Sequence, residues 1–133
     1  MSDFPSPQAV VEAQLQAYNR KDLEAWLATY AVDARQYEHP ATLLARGHEE
    51  IRARAVVRFQ EPNLHARLIQ RTVMGNVVVD HELISRTFAD GSGTLETVAI
   101  YEVQGGKIKC ASFITGHKTC LLYTSPSPRD QRG

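Results

Sequence analysis

The sequence predicts an α+β fold in which three N-terminal helices pack on a curved antiparallel sheet. The first half of the chain carries apolar residues at helical spacing, and the second half contains four runs rich in β-branched residues separated by glycine-containing turns. Helices followed by an antiparallel meander pack as two layers around one core. With 133 residues, 43% of them hydrophobic, the chain suits one domain.

Three helices are predicted. The first is capped by Ser6, starts at Pro7 and runs to about Arg20. The second is capped by Asp22, and the third spans residues 48–60, with acidic residues in its first turn and basic residues later, as the helix macrodipole favours. The apolar residues of the second helix recur at i, i+3, i+4 and i+7: Leu23, Trp26, Leu27 and Tyr30.

Two short and four long strands are predicted. The short strands cover residues 35–39, ending before Pro40, and residues 43–45. The long strands are punctuated by turn sequences and cover residues 64–74, 76–88, 94–104 and 107–117. The last two strands are apolar on both faces, so both faces need a cover. We therefore expect a homodimer through the open face of the sheet.

The hairpin around residues 75–76 predicts which side chains face a pocket. Counting outward from a two-residue turn pairs Gln70 with His81 and Leu68 with Leu83. We expect the mostly apolar face of this hairpin to line the interior: Ala66, Leu68, Gln70, Val79, His81, Leu83 and Ser85. We expect the charged face to be the outer surface: Arg67, Ile69, Arg71, Asp80, Glu82 and Arg86.

The composition excludes several classes of function. Fifteen basic and fifteen acidic residues cancel and form no basic stripe, so we do not expect a nucleic-acid partner. No apolar run approaches the roughly 20 residues of a spanning helix, and residues 1–7, which we expect to be disordered, lack the pattern of a signal peptide. We therefore expect no membrane association and a cytoplasmic location. No phosphate loop, nucleophile elbow, dinucleotide fingerprint or metal-ligand motif occurs, so neither a cofactor nor a metal is expected.

The C-terminal segment differs from the rest of the chain. From Cys120 onward the sequence resembles one reading frame of a transposase sequencing adapter, and the Ser-Pro pairs at residues 125–128 cannot extend a strand or a helix. We therefore interpret residues 120–133 as a non-native read-through tail and residues 8–119 as the domain.

The order helix, helix, short strand, helix and four strands resembles the nuclear transport factor 2-like (NTF2-like) superfamily. Within it, residues 8–118 are most similar to SnoaL-like proteins related to polyketide cyclases and steroid delta-isomerases. The resemblance implies a cone-like fold whose open end holds a small, largely apolar ligand. The motifs that carry it are Ala17-Tyr18-Asn19, Asp22-Leu23, Tyr30-Ala31, Tyr37-Glu38-His39-Pro40, Gly47 and Ile51.

Two histidines are the candidate catalytic residues. The resemblance places His39 where the steroid isomerases carry their base, and an imidazole that titrates near pH ~6.5 keeps that capacity. His81 would donate a proton or act as an electrostatic partner. Ala99 and Gln14 stand where the steroid isomerases carry an acidic oxyanion donor and a tyrosine, which argues against the steroid reaction itself.

The predicted function is acid–base chemistry without a cofactor, of isomerase, cyclase or hydratase/hydrolase type, on a small apolar carbonyl compound. The alternative is a non-catalytic ligand-binding or dimerisation module, because one fold supports many functions. The predicted ligand-binding residues are Tyr18, Trp26, Tyr30, Tyr37, Arg58, Gln70, Tyr101 and Phe113.

Two details of the predicted pocket remain open from the sequence. Arg54 and Arg58 follow Ile51 at helical spacing; inside the cone a guanidinium would favour a carboxylate or enolate ligand, and at the rim it would extend into solvent. In the last hairpin, a two-residue turn pairs Val98 with Phe113, whereas the resemblance places Ala99 and Phe113 inside.

Overall fold

The computed structural model of the protein describes residues 3–120, which form three helices and one six-stranded sheet of order β2-β1-β6-β5-β4-β3. All neighbouring strands are antiparallel except β1 and β6, which run parallel. The prediction of a wholly antiparallel sheet is therefore wrong at this pair. In chain order the elements are α1 (Pro7–Arg20), α2 (Leu23–Ala28), β1 (Tyr30–Glu38), β2 (Thr42–Arg46), α3 (Gly47–Arg58), β3 (His65–Met74), β4 (Val77–Phe88), β5 (Gly91–Gln104) and β6 (Lys107–Cys120).

The first two helices begin where their capping residues predict. The Ser6 hydroxyl accepts a hydrogen bond from the Ala9 amide at 3.1 Å, and the Asp22 carboxylate accepts one from the Ala25 amide at 3.1 Å. The prediction that Tyr30 belongs to the second helix is wrong, because Tyr30 starts β1 and pairs with β6. Within residues 3–120, no helix has the length and apolar character needed to cross a lipid bilayer.

Four strands extend beyond their predicted bounds: β1 and β2 begin earlier, at Tyr30 and Thr42, and the last two strands are also longer. β5 begins at Gly91, and β6 continues to Cys120, which is buried and pairs with Gly93. Cys120 thus lies inside the sheet although the sequence assigns it to the tail; residues 121–133 lie outside the described residues. At the other end of the chain, Phe4 packs against Gly106, where an added Cβ would lie 3.2 Å from the Phe4 Cβ.

The pairing of β3 with β4 determines which side chains face the helices. Near the turn the register is as predicted, with Gln70 opposite His81, but Ile69 is an extra residue of β3, so Leu68 pairs with Glu82 instead of Leu83. Such a β-bulge exchanges the two faces of the strand beyond it. The inner face of β4 is therefore the face that carries charged side chains, and the prediction of its faces is wrong. The inward residues are Val78, Asp80, Glu82, Ile84 and Arg86, and they alternate with the more exposed Val79, His81, Leu83 and Ser85.

A second bulge decides the orientation of the last hairpin. Glu102 pairs with Cys110 and Val103 with Ile108, so Lys109 is an extra residue of β6. Beyond it Ala99 pairs with Phe113, which is the pairing that the resemblance implied and not the one obtained by counting from the turn.

A buried ion pair connects β3 and β4 beneath the first helix. The Arg71 guanidinium donates to both carboxylate oxygens of Asp80, at 2.7 and 2.9 Å, and the Asp80 side chain is 0% exposed. Arg71 also donates to Glu12 of α1 at 3.0 Å. These contacts raise the pKa of Arg71 above its ordinary value, so the guanidinium remains charged.

Removal of the guanidinium should destabilise the fold strongly. Arg71→Met leaves the carboxylate of Asp80 buried without a partner, and we expect the free energy of unfolding to fall by about 3–5 kcal/mol in urea titrations. Arg67→Met, at an exposed position of the same strand, should change it by less than about 0.5 kcal/mol. A loss below about 1 kcal/mol in Arg71→Met would contradict the structural role of the pair.

Candidate functional site

A cavity of about 700 Å³ lies between the helices and the inner face of the sheet. Its size is within the range of small-molecule sites. α1 contributes Tyr18, α2 contributes Trp26, and α3 contributes Arg54 and Arg58, while the strands supply the opposite wall. Most of the wall is apolar, with a few polar side chains among the aromatic and aliphatic ones.

Six of the eight predicted ligand-binding residues line this cavity: Tyr18, Trp26, Tyr30, Arg58, Tyr101 and Phe113. Two do not. Gln70 is exposed, and Tyr37 borders a separate polar recess with Asp33 and Lys109. Because successive residues of a strand point to opposite faces, the neighbour of Tyr37, Gln36, takes the inward position on β1.

Neither predicted catalytic histidine lines the cavity. His81 lies on the outer face of β4, with its side chain 35% exposed and its Nε2 atom 2.6 Å from a carboxylate oxygen of Glu96. The prediction that this imidazole faces the interior is wrong because of the bulge at Ile69. His39 is exposed, and its backbone amide donates to the carbonyl of Phe113 at 2.9 Å.

Glu82 is the buried carboxyl group of the cavity. Its residue is 5% exposed, it lines the cavity from the inner face of β4, and it makes no side-chain hydrogen bond within residues 3–120. Burial and the neighbouring charge of Asp80 raise its pKa to about 7, while the charge of Arg71 opposes that rise. At neutral pH this carboxyl group therefore occurs in both protonation states.

The sequence pattern predicts Glu82 on the outer surface, and this prediction is wrong. A signal for its true position was present in the pairing of Arg71 with Asp80, because two charges that neutralise each other can occupy an inner face. The alternation of apolar residues alone did not reveal it, since both faces of β4 carry aliphatic side chains.

Buried phenols surround the carboxyl group. Burial raises the pKa of Tyr101, and the charge of Glu82 raises it further. Burial also raises the pKa of Tyr30, against a smaller opposing contribution from its hydrogen bond with Gln36. Both hydroxyls therefore stay protonated and can donate hydrogen bonds to a carbonyl or hydroxyl group in the cavity.

Three buried polar atoms at this cavity lack a partner. Within residues 3–120, the buried side-chain atoms without a hydrogen bond are Oε1 of Gln14, Nε1 of Trp26 and Oγ1 of Thr97, and all three residues line the cavity. Buried polar groups in folded proteins are normally hydrogen-bonded, since leaving one unpaired costs about 1–3 kcal/mol. All three atoms are therefore available to a polar group placed in this cavity.

The cavity also contains three arginines. Arg86 donates to both carboxylate oxygens of Glu61 at 2.8 Å, and the Thr87 amide donates to Glu61 at 3.0 Å. Burial raises the pKa of Glu61, but these hydrogen bonds outweigh it and keep the pKa below its ordinary value. Arg54 donates to Oε1 of Gln36 at 2.5 Å. No group of three or more His, Cys, Asp or Glu side chains within residues 3–120 is arranged to hold a metal ion.

The fold and the cavity define the class of protein. It is an α+β domain in which three helices and a curved, open six-stranded sheet line a cavity large enough for a small molecule. The model of the SnoaL-like domain matches residues 11–111, and the chain therefore belongs to this family. Its fold is that of a solved NTF2-like protein from Burkholderia pseudomallei, which is 21% identical with a TM-score of 0.70 over 83% of this chain and 90% of that chain. This confirms the resemblance inferred from the sequence.

Solved structures support the same fold. An uncharacterised cystatin-fold protein from Novosphingobium aromaticivorans is 25% identical, with a TM-score of 0.76 over 83% of this chain and 98% of that chain. A putative polyketide cyclase from Sinorhizobium meliloti is 21% identical, with a TM-score of 0.66 over 84% of this chain and 95% of that chain. An LEH-like epoxide hydrolase from M. tuberculosis is 15% identical, with a TM-score of 0.69 over 83% of this chain and 82% of that chain. No curated protein sequence matches the chain significantly.

The raised pKa of Glu82 predicts a pH dependence of stability. The unfolded chain releases this proton near pH 4.5, whereas the folded protein keeps it up to about pH 7. The contribution of Glu82 to the free energy of unfolding therefore falls as the pH rises between these values and is constant above them. In urea titrations at about pH 5 and about pH 7.5, the wild type should lose roughly 2–3 kcal/mol more than Glu82→Gln.

The control for this measurement is Glu102→Gln, which removes an exposed carboxylate from the neighbouring strand. This variant should keep the wild-type difference between the two pH values. Equal pH dependence of the wild type and Glu82→Gln would mean that Glu82 has an ordinary pKa.

Proposed function

We propose that the protein binds a small, largely apolar compound in the cavity and transfers a proton on it, with Glu82 as the acid–base group. The observation that carries the proposal is the arrangement of the cavity: a buried carboxyl group without a side-chain hydrogen bond faces about 700 Å³ of mostly apolar space. The three unpartnered polar atoms in the same wall support binding of a ligand with a carbonyl or hydroxyl group.

The environment of Glu82 suits general acid–base catalysis. A group that gives and takes a proton works best when its pKa is near the working pH. Burial and the charge of Asp80 raise the pKa of Glu82 to about 7. The protonated hydroxyl of Tyr101, whose pKa responds to the charge of Glu82, can stabilise negative charge that develops on a carbonyl oxygen. We therefore propose isomerase, cyclase or hydratase chemistry on a carbonyl compound without a cofactor.

Glu82, and not either of the two histidines, therefore has the proposed catalytic role. His81 forms its close contact with Glu96 on the outer face, and His39 is exposed, so neither imidazole reaches a ligand in the cavity directly. A role for either histidine remains a prediction from the sequence, and variants of both belong in the same assay.

The assay measures exchange of the α-protons of apolar ketones, such as cyclohexanone and tetralone, for deuterium by NMR. We expect the wild-type protein to accelerate exchange over buffer, and Glu82→Gln to lower the rate by a factor of about 100 or more, because the amide cannot take up the proton. His81→Ala and His39→Ala should keep the wild-type rate.

Two results would contradict the assignment. Loss of exchange in a histidine variant together with a normal rate in Glu82→Gln would restore the catalytic role to that histidine. Ligand binding without exchange of any ketone would favour the alternative function, a non-catalytic ligand-binding module of the same fold.

We further propose that the outer face of the sheet binds a second copy of the chain. Val79, Val98, Ile100 and Ile114 share the outer face of three adjacent strands, beside the polar pair of His81 and Glu96. A two-fold interface places the same patch on both copies, and this patch carries both charge signs when His81 is protonated. A cytoplasmic location remains a prediction from the sequence.

Sedimentation velocity tests the dimer. The wild type should sediment as a dimer, and Ile100→Lys should sediment as a monomer because it places a charge at the centre of the apolar patch. Met74→Lys, at the exposed tip of the β3–β4 hairpin, should remain dimeric. A monomeric wild type at tens of micromolar concentration would exclude a stable dimer.

A further inference from the structure

Two α3 arginines line the cavity, and neither of them forms a hydrogen bond with a carboxylate within residues 3–120. Arg54 is half-buried in the wall, and its side-chain hydrogen bond within residues 3–120 goes to the neutral amide oxygen of Gln36. Arg58 lines the same wall. It donates a hydrogen bond to the Tyr18 hydroxyl, and its Nε atom forms an ion pair with Glu61 at 3.7 Å, which is beyond hydrogen-bond distance. A guanidinium has five N–H donors, so both side chains retain donors for a ligand.

The nearby carboxylate is already engaged. Both oxygens of Glu61 accept hydrogen bonds from Arg86, and one of them also accepts from the Thr87 amide. Burial and the charge of Arg58 lower the pKa of Arg54 below its ordinary value, which agrees with two cations facing each other in a partly dry wall. Arg54 therefore has no carboxylate partner within residues 3–120, although the carboxylates of Glu61 and of the exposed Glu38 also line the cavity.

We infer that the ligand is an amphiphilic carboxylate, whose apolar body fills the cavity and whose carboxylate group binds Arg54 and Arg58. This inference rests on the proposed function, because it specifies the ligand of the same cavity. A carboxylate accepts two parallel hydrogen bonds from a guanidinium, and such charge-assisted bonds are about twice as strong as neutral ones. A neutral ligand would leave Arg54 without an anionic partner.

Tyr18 and Tyr30 line the cavity together with the two arginines and Glu82. The pKa of Tyr18 responds to the charges of Arg58 and Glu82, and the pKa of Tyr30 responds to those of Arg54 and Glu82. Both phenols thus lie within reach of the arginine end and of the carboxyl group. A ligand held by its carboxylate at α3 extends its apolar body past these rings toward Glu82.

The experiment compares acids with their uncharged amides on the full chain. The matched probes are octanoate with octanamide and cyclohexylacetate with cyclohexylacetamide, titrated by calorimetry. Trp26, the single tryptophan of the sequence, lines the cavity, so a change in its fluorescence reports that the probe enters. We expect each acid to bind at least about tenfold more tightly than its amide.

The variants assign this preference to its residues. Arg54→Met should abolish the preference for the acid while the amide binds as before, and Arg58→Met repeats the test should Arg54→Met fail to fold by circular dichroism. The matched control is Arg52→Met: Arg52 is an exposed arginine of the same helix, it pairs with Glu24, and its loss should leave the preference intact.

The outcomes separate this inference from the proposed function. Acids and amides that bind equally to the wild type would overturn the inference and leave the cavity as the binding site of a neutral compound. A preference for acids that survives both Arg54→Met and Arg58→Met would also overturn it. Failure of every probe to bind would overturn the inference and the proposed binding function together.

Discussion

The ion pair between Arg71 and Asp80 is the interaction on which the candidate site depends. It places a fully buried carboxylate on the inner face of β4, one position along that face from Glu82, and neutralises it with a guanidinium from β3 that also reaches Glu12 of α1. Without Arg71, two carboxyl groups would share a poorly solvated space, which a fold tolerates only at a large cost. With Arg71, the charge of Asp80 is compensated, and its remaining field contributes to the raised pKa of Glu82.

The bulge at Ile69 makes the Arg71–Asp80 ion pair compatible with a packed hydrophobic core. Below the bulge, Ala66 and Leu68 face inward and join the packing beneath α1; above it, Arg71 faces inward toward Asp80. A regular strand would present either the apolar pair or the arginine to the interior, but not both, because the side-chain period is two. The extra residue lets one strand support the core with one half and the charged centre with the other.

The bulge at Ile69 also explains which parts of the structure could be predicted from the sequence and which could not. The helix caps at Ser6 and Asp22 and the register next to the turn depend on contacts close in the chain, and these were predictable. The family followed from the order of the motifs. The bulge has no local signal: no glycine marks Ile69, and its position depends on how β3 meets α1 and β4. Because this one extra residue was not predicted, His81 was assigned to the inner face and Glu82 to the outer face, and the structure has the reverse. The predictions for cavity residues on the helices and on β5 and β6 do not depend on the bulge.

In the proposed function, the two charged regions of the cavity have different roles: the arginines bind the ligand and Glu82 transfers the proton. A group that gives or takes a proton must not be held by a strong partner. Glu82 makes no side-chain hydrogen bond within the described residues, and Arg71, whose charge opposes the rise of its pKa, is hydrogen-bonded to Asp80. An anchor for a ligand needs the opposite, a permanent charge with donors to spare, as on Arg54 and Arg58. The charges that shift the pKa of Glu82 are those of Asp80 and Arg71, and neither Arg54 nor Arg58 forms an ion pair with Glu82 within the described residues. This separation is a requirement of the proposed function, because a close arginine would fix Glu82 as a carboxylate and would lose its own donors for the ligand.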